Sequence, residues 1–193
     1  MIYETIVVTQ DRDGNANIAP LGVREEGEFL VLAPFRPSTT LQNLSITGEA
    51  VVNMTDDVAV IAGCLTGRKD WPLTPVQHVR GARLSNALAH VECRVDHVEE
   101  DERRPRFFCR RVHEQTHAPF KGFNRAQAAV LELAILTSRL HMLTQDKIDR
   151  EIEYLQIAID KTAGERERMA WGWLQERVAA HREATHAGSR SLA

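Results

Sequence analysis

The sequence has little cysteine: Cys64, Cys93 and Cys109 are the three in 193 residues, widely spaced and without a CxxC pair. Such spacing excludes a disulfide framework and a thiolate zinc site, and it suits a reducing compartment. No apolar run approaches the roughly 18 residues of a membrane span. Residues 1–9 alternate like a strand and lack a basic region followed by a long apolar stretch, so no signal peptide is expected. Positive charge is not in excess either. The chain has 24 Lys and Arg against 27 Asp and Glu, a net charge of −3. A nucleic-acid partner would call for a basic patch or stripe. The short clusters at 102–106 and 109–111 read as solvated strand ends. These absences together point to a soluble, cytoplasmic protein.

Apolar residues make up 43% of the chain, enough for a sizeable core. The first half reads as strands with tight turns. Residues 3–9 are rich in β-branched and aromatic side chains and end at Asp11-Arg12-Asp13-Gly14-Asn15, a hairpin signal. Residues 17–23 resume extended structure, with Pro20 and Gly22 marking an edge, a bulge or a close approach. Residues 29–34 form an apolar strand. Ser38 is positioned to cap a short helix over 39–47 that Gly48 closes, and residues 50–55 make another strand. Residues 56–65 are a short helix or turn, and 66–81 a loop or lid. Strand candidates lie in 84–98 and 105–112. After Gly122 the apolar period changes from strand-like to helical. Asn124, with Gln127 three residues on, opens a helix up to about Leu143, followed by amphipathic helices over 146–161 and 165–181. Strands first and helices last is an α+β pattern. The expected organisation is a barrel domain over 1–122, a helical region over 123–185 packed on the barrel or on a dimer partner, and a flexible tail over 186–193.

The segment Pro37-Ser38-Thr39-Thr40-Leu41-Gln42-Asn43-Leu44 carries the most chemistry. Three hydroxyls sit at a strand-to-helix junction beside the free N–H groups of a helix N-terminus, a combination that suits a phosphate. Arg24 and Arg36 are candidates for charge-assisted bonds to it. Taken alone, the same residues equally describe a capped first turn and nothing more.

An ordered series of short motifs adds to this reading: Asn17-Ile18-Ala19-Pro20-Leu21-Gly22-Val23, the strand ending at Pro34-Phe35, Ser38-Thr39-Thr40 with Asn43-Leu44, and Thr47-Gly48-Glu49-Ala50-Val51-Val52-Asn53. It resembles the flavin-reductase-like FMN-binding split-barrel family. Phe123-Asn124-Arg125-Ala126, with Glu132 and Arg139, is similar to one branch of that family long known as a domain of unknown function. The resemblance spans most of residues 3–143 and rests on order and spacing. It implies an antiparallel, Greek-key-like split β-barrel with a C-terminal helical extension, working as a homodimer with FMN at the interface. By position, Ser38, Thr39, Thr40 and Arg24 would hold the phosphate. The backbone of Ala19, Pro20, Leu21, Gly22 and Val23 would line the isoalloxazine, and Asn53 and Thr55 would reach the ribityl chain or ring edge. Asn124 and Arg125, from the partner subunit, would complete the pocket. The implied activity is that of an oxidoreductase or flavin reductase on a small molecule, with a pterin-type substrate suggested by the branch. The alternative is a flavin-binding dimeric scaffold without turnover. No acid–base residue stands where the reductases would suggest one, so catalytic residues stay unassigned.

His113-Glu114-Gln115-Thr116-His117 matches HExxH, the helical zinc motif of metalloproteases. Its context is wrong: a strand precedes it, Pro119 would break a helix just after it, and no third ligand follows. Solvated loop histidines are the preferred reading, and no metal is expected. Trp71, in the 67–75 loop, either stacks on a flavin or substrate or anchors the loop to the barrel, the second being preferred. Trp171 and Trp173 read as packing or dimer contacts. Glu132 and Arg139, seven apart on one helix face, read as members of structural ion pairs or, more sharply, as groups beside the flavin.

Overall fold

Strands β1 (Ile2–Gln10) and β2 (Ala16–Glu26) form a hairpin whose turn is held by Asp11. Its carboxylate accepts from the backbone N–H of Asp13 and Asn15, both at 2.9 Å, and from the Asn15 amide at 2.8 Å. The computed structural model describes residues 1–190. The chain divides into two compact units: Met1–Asp56 with Asp70–Phe120, and Asp57–Lys69 with the stretch from Lys121 onward.

The first unit adds β3 (Phe29–Leu32), helix α1 (Thr39–Thr47), β4 (Glu49–Met54), the short β5 (Leu73–Pro75) and β6 (Ala82–Leu84), and the long β7 (Ala89–Glu99) and β8 (Arg106–Thr116). Six strands close into an antiparallel barrel in the order β1-β2-β3-β8-β7-β4, and β5 and β6 pair separately. Because β4 returns beside β1, the order β4-β1-β2-β3 is a Greek key. The α+β antiparallel barrel read from the sequence is the fold observed.

Alternation along the strands separates two faces. Val7, Val23, Leu30, Leu32, Ala50, Val52, Val91, Cys93, Phe107 and Cys109 form one buried cluster inside the barrel, joined by Leu41 and Leu44 of α1. Their neighbours along the strands point outward, yet Ile6, Val8, Val51, Asn53, His90 and Glu92 are buried as well. Register puts Asn53 opposite both Ile6 and His90, and Val51 opposite both Val8 and Glu92. The segment containing β5 and β6 covers this outer row. Gly81 lies so near that a Cβ there would come within 3.0 Å of Val51 Cγ2. The expected loop or lid over 66–81 is therefore partly strand.

In the second unit, α2 (Val58–Leu65), α3 (Arg125–Thr137), a 3₁₀ turn at Leu140–Met142, α4 (Gln145–Thr162) and α5 (Glu165–Arg190) make an all-helical group. Helix α2 is apolar all round and buried from Val58 through Gly63, as a core helix is. It starts at Asp57, whose carboxylate caps the helix at Ala59 N and pairs with Arg166 on α5. The sequence division at residue 122 is corrected on this point: residues 57–69, although early in the chain, group with the C-terminal helices. Two helix ends are corrected too. The first helix stops at Thr137, and α5 runs on to Arg190 where a loose tail was expected from 186; residues 191–193 of that tail lie outside the described residues. Trp171 donates to Gln156 Oε1 at 2.9 Å, and Arg68 stacks over Trp173 at 4.4 Å, so both indoles pack within this unit. Glu132 and Arg139 are exposed, and neither forms an ion pair among the described residues.

Helix α1 ends as expected, with Gly48 in the left-handed region (φ 67°) and its N–H bonded to Leu44 O. A side chain is costly in that conformation, and least so for Asn. Gly48→Ala is expected to destabilise the protein by about 1 kcal/mol and Gly48→Asn by less. Urea denaturation of the three proteins checks this order.

Candidate functional site

The junction between β3 and α1 is built from both ends. On the helix side, Leu41 and Leu44 join the barrel core, Asn43 donates to Thr9 Oγ1 at 3.1 Å, and Thr40 Oγ1 accepts from Asn17 on β2 at 3.1 Å. These contacts hold α1 so that its first turn emerges at the surface. Ser38 caps it, accepting from Leu41 N at 3.2 Å. That bond uses an acceptor site of the hydroxyl and leaves its proton to donate. The backbone N–H groups of Thr39 and Thr40 have no acceptor among the described residues, as the first N–H groups of a helix commonly do not. Thr39 is exposed and its hydroxyl has no partner among the described residues. Of the three hydroxyls, Thr40 is the exception to the sequence reading: it is buried and turned toward β2, so its contribution is its N–H.

Strand β2 supplies the second wall. It pairs with β1 from Ala16 to Arg24 but with β3 only from Val23 to Glu26. One edge of residues 16–22 therefore lies beyond the end of β3, outside that ladder. Ala19, Pro20, Leu21 and Gly22 are half-buried along this stretch, whereas Val23 is 2% exposed and faces the core. Val23 is thus a packing residue. Arg24 is exposed and without an ion-pair partner among the described residues. Arg36 is committed elsewhere, pairing with Glu100 at 2.6 Å and donating to Asp101 O.

Two further assignments change. Asn53 is fully buried, and its amide donates to Ile6 O at 3.1 Å and Val51 O at 3.2 Å while accepting from Leu84 N at 2.8 Å. Those bonds tie β1, β4 and β6 together, so this side chain is spent on the barrel. Thr55 is half-buried just past β4. Asn124 caps α3, accepting from Ala126 N and Gln127 N and donating to Thr162 O, which uses both ends of its amide. Arg125 is the exposed first residue of α3. Both belong to the helical unit.

Sequence reasoning missed a second polar site, on the outer face of the barrel. A pocket of about 420 Å³ is lined by His78, Arg83, His90, Glu92, His113, Gln115 and His117 among others. His113 and Glu114 through Thr116 lie on β8, with His117 immediately after it, so the HExxH run is strand and not helix. The expectation of solvated loop histidines is corrected: His113 stacks on His78 with centroids 4.3 Å apart, and a ring nitrogen of His117 meets His90 Nδ1 at 2.9 Å. Glu92 and His90 are 2% and 3% exposed. Glu92 Oε2 accepts from His78 N at 2.7 Å and Val79 N at 2.9 Å. Burial works against the carboxylate, but these two amides together with His90 outweigh it and hold its pKa below the usual range. Burial is also the main influence on His90 and keeps its pKa low, against the pull of Glu92. The only early signal of this cluster was the i, i+4 histidine pair, which a strand with side chains alternating every two residues also brings to one face.

The family models that match the chain divide it once, near residue 120, with residues 57–69 inside the first match. Residues 3–118 match the family model described as "Protein of unknown function (DUF447) N-terminal domain", and residues 124–176 match "Protein of unknown function (DUF447)". Among solved structures, the FMN-bound DUF447 protein MM1853 of Methanosarcina mazei superposes with a TM-score of 0.80 at 20% identity, covering 91% of this chain and 94% of that one. The 2-nitrobenzoate 2-nitroreductase NbaA of Pseudomonas fluorescens (TM-score 0.51, 21% identity) covers 59% of this chain and 64% of its own. Flavoredoxin of Methanosarcina acetivorans (TM-score 0.51, 15% identity) covers 60% and 69%. No curated protein sequence matches. The fold is the split β-barrel that these structures share.

If Asn53 is a structural tie, Asn53→Ala will destabilise the protein by about 2–3 kcal/mol, since it leaves the buried Leu84 N–H unsatisfied. Thermal and urea unfolding measure this; a loss under 0.5 kcal/mol would contradict the role. The matches over both units show that the chain belongs to the DUF447 family.

Proposed function

We propose that this chain binds FMN, with the phosphate on the N-terminal turn of α1, and acts as a flavin-dependent oxidoreductase on a small molecule. The observation that carries the reading is the donor set at residues 38–40: two backbone N–H groups without acceptors among the described residues, an exposed Thr39 hydroxyl and the Ser38 proton, all at the positive end of a helix. This set fits a phosphate, because every group is a donor and the helix dipole favours negative charge. Arg24 is a candidate for additional positive charge. The overlay on an FMN-bound protein of the same family supports the choice of flavin.

Residues 19–22 offer backbone groups at the open edge of β2, suited to the polar edge of a flat ring. Pro20 has no N–H, so donors on this stretch come from its neighbours. When bound, FMN would supply hydride- and electron-transfer chemistry, and the chain supplies binding, orientation and exclusion of water. We read the working form as a homodimer. Ile2, Tyr3 and Phe35 of the barrel unit are 51%, 48% and 61% exposed, apolar surface of the kind a second copy covers.

The purified protein is expected to be yellow, with flavin absorbance in the visible, and to bleach on addition of NADH or NADPH and recover with an acceptor. FMN should bind at least about 100-fold tighter than riboflavin, the worth of two charge-assisted bonds of about 1.5 kcal/mol each. Thr39→Val and Ser38→Ala should each remove part of that preference. Equal affinity for FMN and riboflavin would overturn the phosphate assignment. Bound flavin that no nicotinamide reduces would favour a scaffold over an enzyme. Light scattering of the holoprotein tests the dimer.

A further inference from the structure

We propose that the outer-face pocket of the barrel is a metal site, in which His78, Glu92 and His113 bind one divalent first-row transition metal. The ligand atoms of these three residues all lie within 4.8 Å of one another. Three separate pieces of backbone bring them there. Glu92 on β7 and His113 on β8 are direct partners in the ladder, so their side chains leave the same face side by side. His78 comes from the segment between β5 and β6, and its own N–H is anchored on Glu92 Oε2. The same two amide bonds that orient Glu92 therefore also position a second ligand.

Charge is the second argument. Glu92 is buried, and no lysine or arginine pairs with it among the described residues; besides His78 and His113 its ionisable neighbour is His90, whose Nε2 stands 3.5 Å from Glu92 Oε1. That separation is too long for a good hydrogen bond, and His90 Nε2, itself buried, has no other partner among the described residues. Arg83 at the rim turns its guanidinium to the carbonyls of Leu84 and Ser85 instead. Two backbone amides already favour the charged form of this buried carboxylate, and a divalent ion is a counter-charge that it can take where no lysine or arginine pairs with it among the described residues. His90 and His117, linked ring to ring, then form the outer layer that orients the carboxylate.

The donor set decides the class of metal. Two imidazoles and one carboxylate suit Zn²⁺, Fe²⁺, Co²⁺ or Ni²⁺ and disfavour Mg²⁺ and Ca²⁺, which prefer all-oxygen sites. Metal–ligand distances of about 2.0–2.2 Å need the donors to draw somewhat closer. The exposed His78 ring and the half-buried His113 ring have room to do so. Three protein ligands leave coordination positions open toward the 420 Å³ pocket, where a small anion or carbonyl oxygen could bind. The site does not involve the α1 junction, so it stands or falls independently of flavin binding.

Tag-free protein stripped with a chelator and titrated with Co²⁺ tests the proposal. About one equivalent per chain should bind, with visible d–d absorption, and Zn²⁺ should displace it while Mg²⁺ and Ca²⁺ do not. His78→Ala and His113→Ala should each weaken Co²⁺ binding by about 100-fold or more, an effect at least as large as loss of an outer-layer partner. Glu92→Gln should do likewise while keeping the side chain's shape, and His97→Ala, outside the cluster, should change nothing. Circular dichroism of each variant confirms that it is folded. Failure to bind Co²⁺ or Zn²⁺ stoichiometrically, or binding that survives both histidine substitutions in folded protein, overturns the site.

Discussion

Two buried faces on one set of strands are the constraint behind the rest of this molecule. A closed barrel needs one apolar face for its interior, and Val52, Val91 and Cys93 meet that need. Here β1, β4 and β7 must also bury their outer faces beneath the β5–β6 segment, and Val8, Val51, Asn53, His90 and Glu92 lie there. Polar groups in such a place must find partners. Asn53 does so completely, with bonds to three elements. Glu92 does so through two backbone amides on one oxygen, while its other oxygen stands 3.5 Å from His90 Nε2. The difference separates a structural tie from a site with unspent binding capacity.

The same economy of parts applies to α1. Its apolar residues complete the barrel core, and Thr40 and Asn43 fasten it to β2 and β1. Because the helix is held by its buried side, the donors of its first turn are left at the surface beside the open edge of β2. The short reach of β3 along β2, ending at the Val23–Leu32 pair, leaves that edge exposed. An unpaired stretch of β2 near a helix N-terminus is thus a consequence of unequal strand lengths.

In the helical unit, packing follows familiar chemistry: an Asp57 cap that is also an ion-pair partner of Arg166, an Asn124 cap tied to Thr162, and indoles satisfied by Gln156 or covered by Arg68. Asn124 shows how a residue noticed for a motif can be fully explained by its place in a helix. A cap side chain that accepts two amides and donates to a carbonyl has little left for a ligand.

Local chemistry is what the sequence by itself determined. The hairpin at Asp11, the Ser38 cap, the left-handed Gly48, the Asn124 cap and the strand-then-helix order depend on neighbours a few residues apart, and each was legible in advance. So were the places of Ser38 and Thr39 at the start of α1, but not the inward turn of the Thr40 hydroxyl. Tertiary structure alone decided which face of each strand is covered, because burial of the outer face depends on where a segment thirty residues away comes to rest. For that reason Asn53 looked like a ligand residue and proved to be a tie. For the same reason residues 57–69 joined helices that follow them by more than fifty positions, and His78 met Glu92 and His113 across three elements that no local spacing connects.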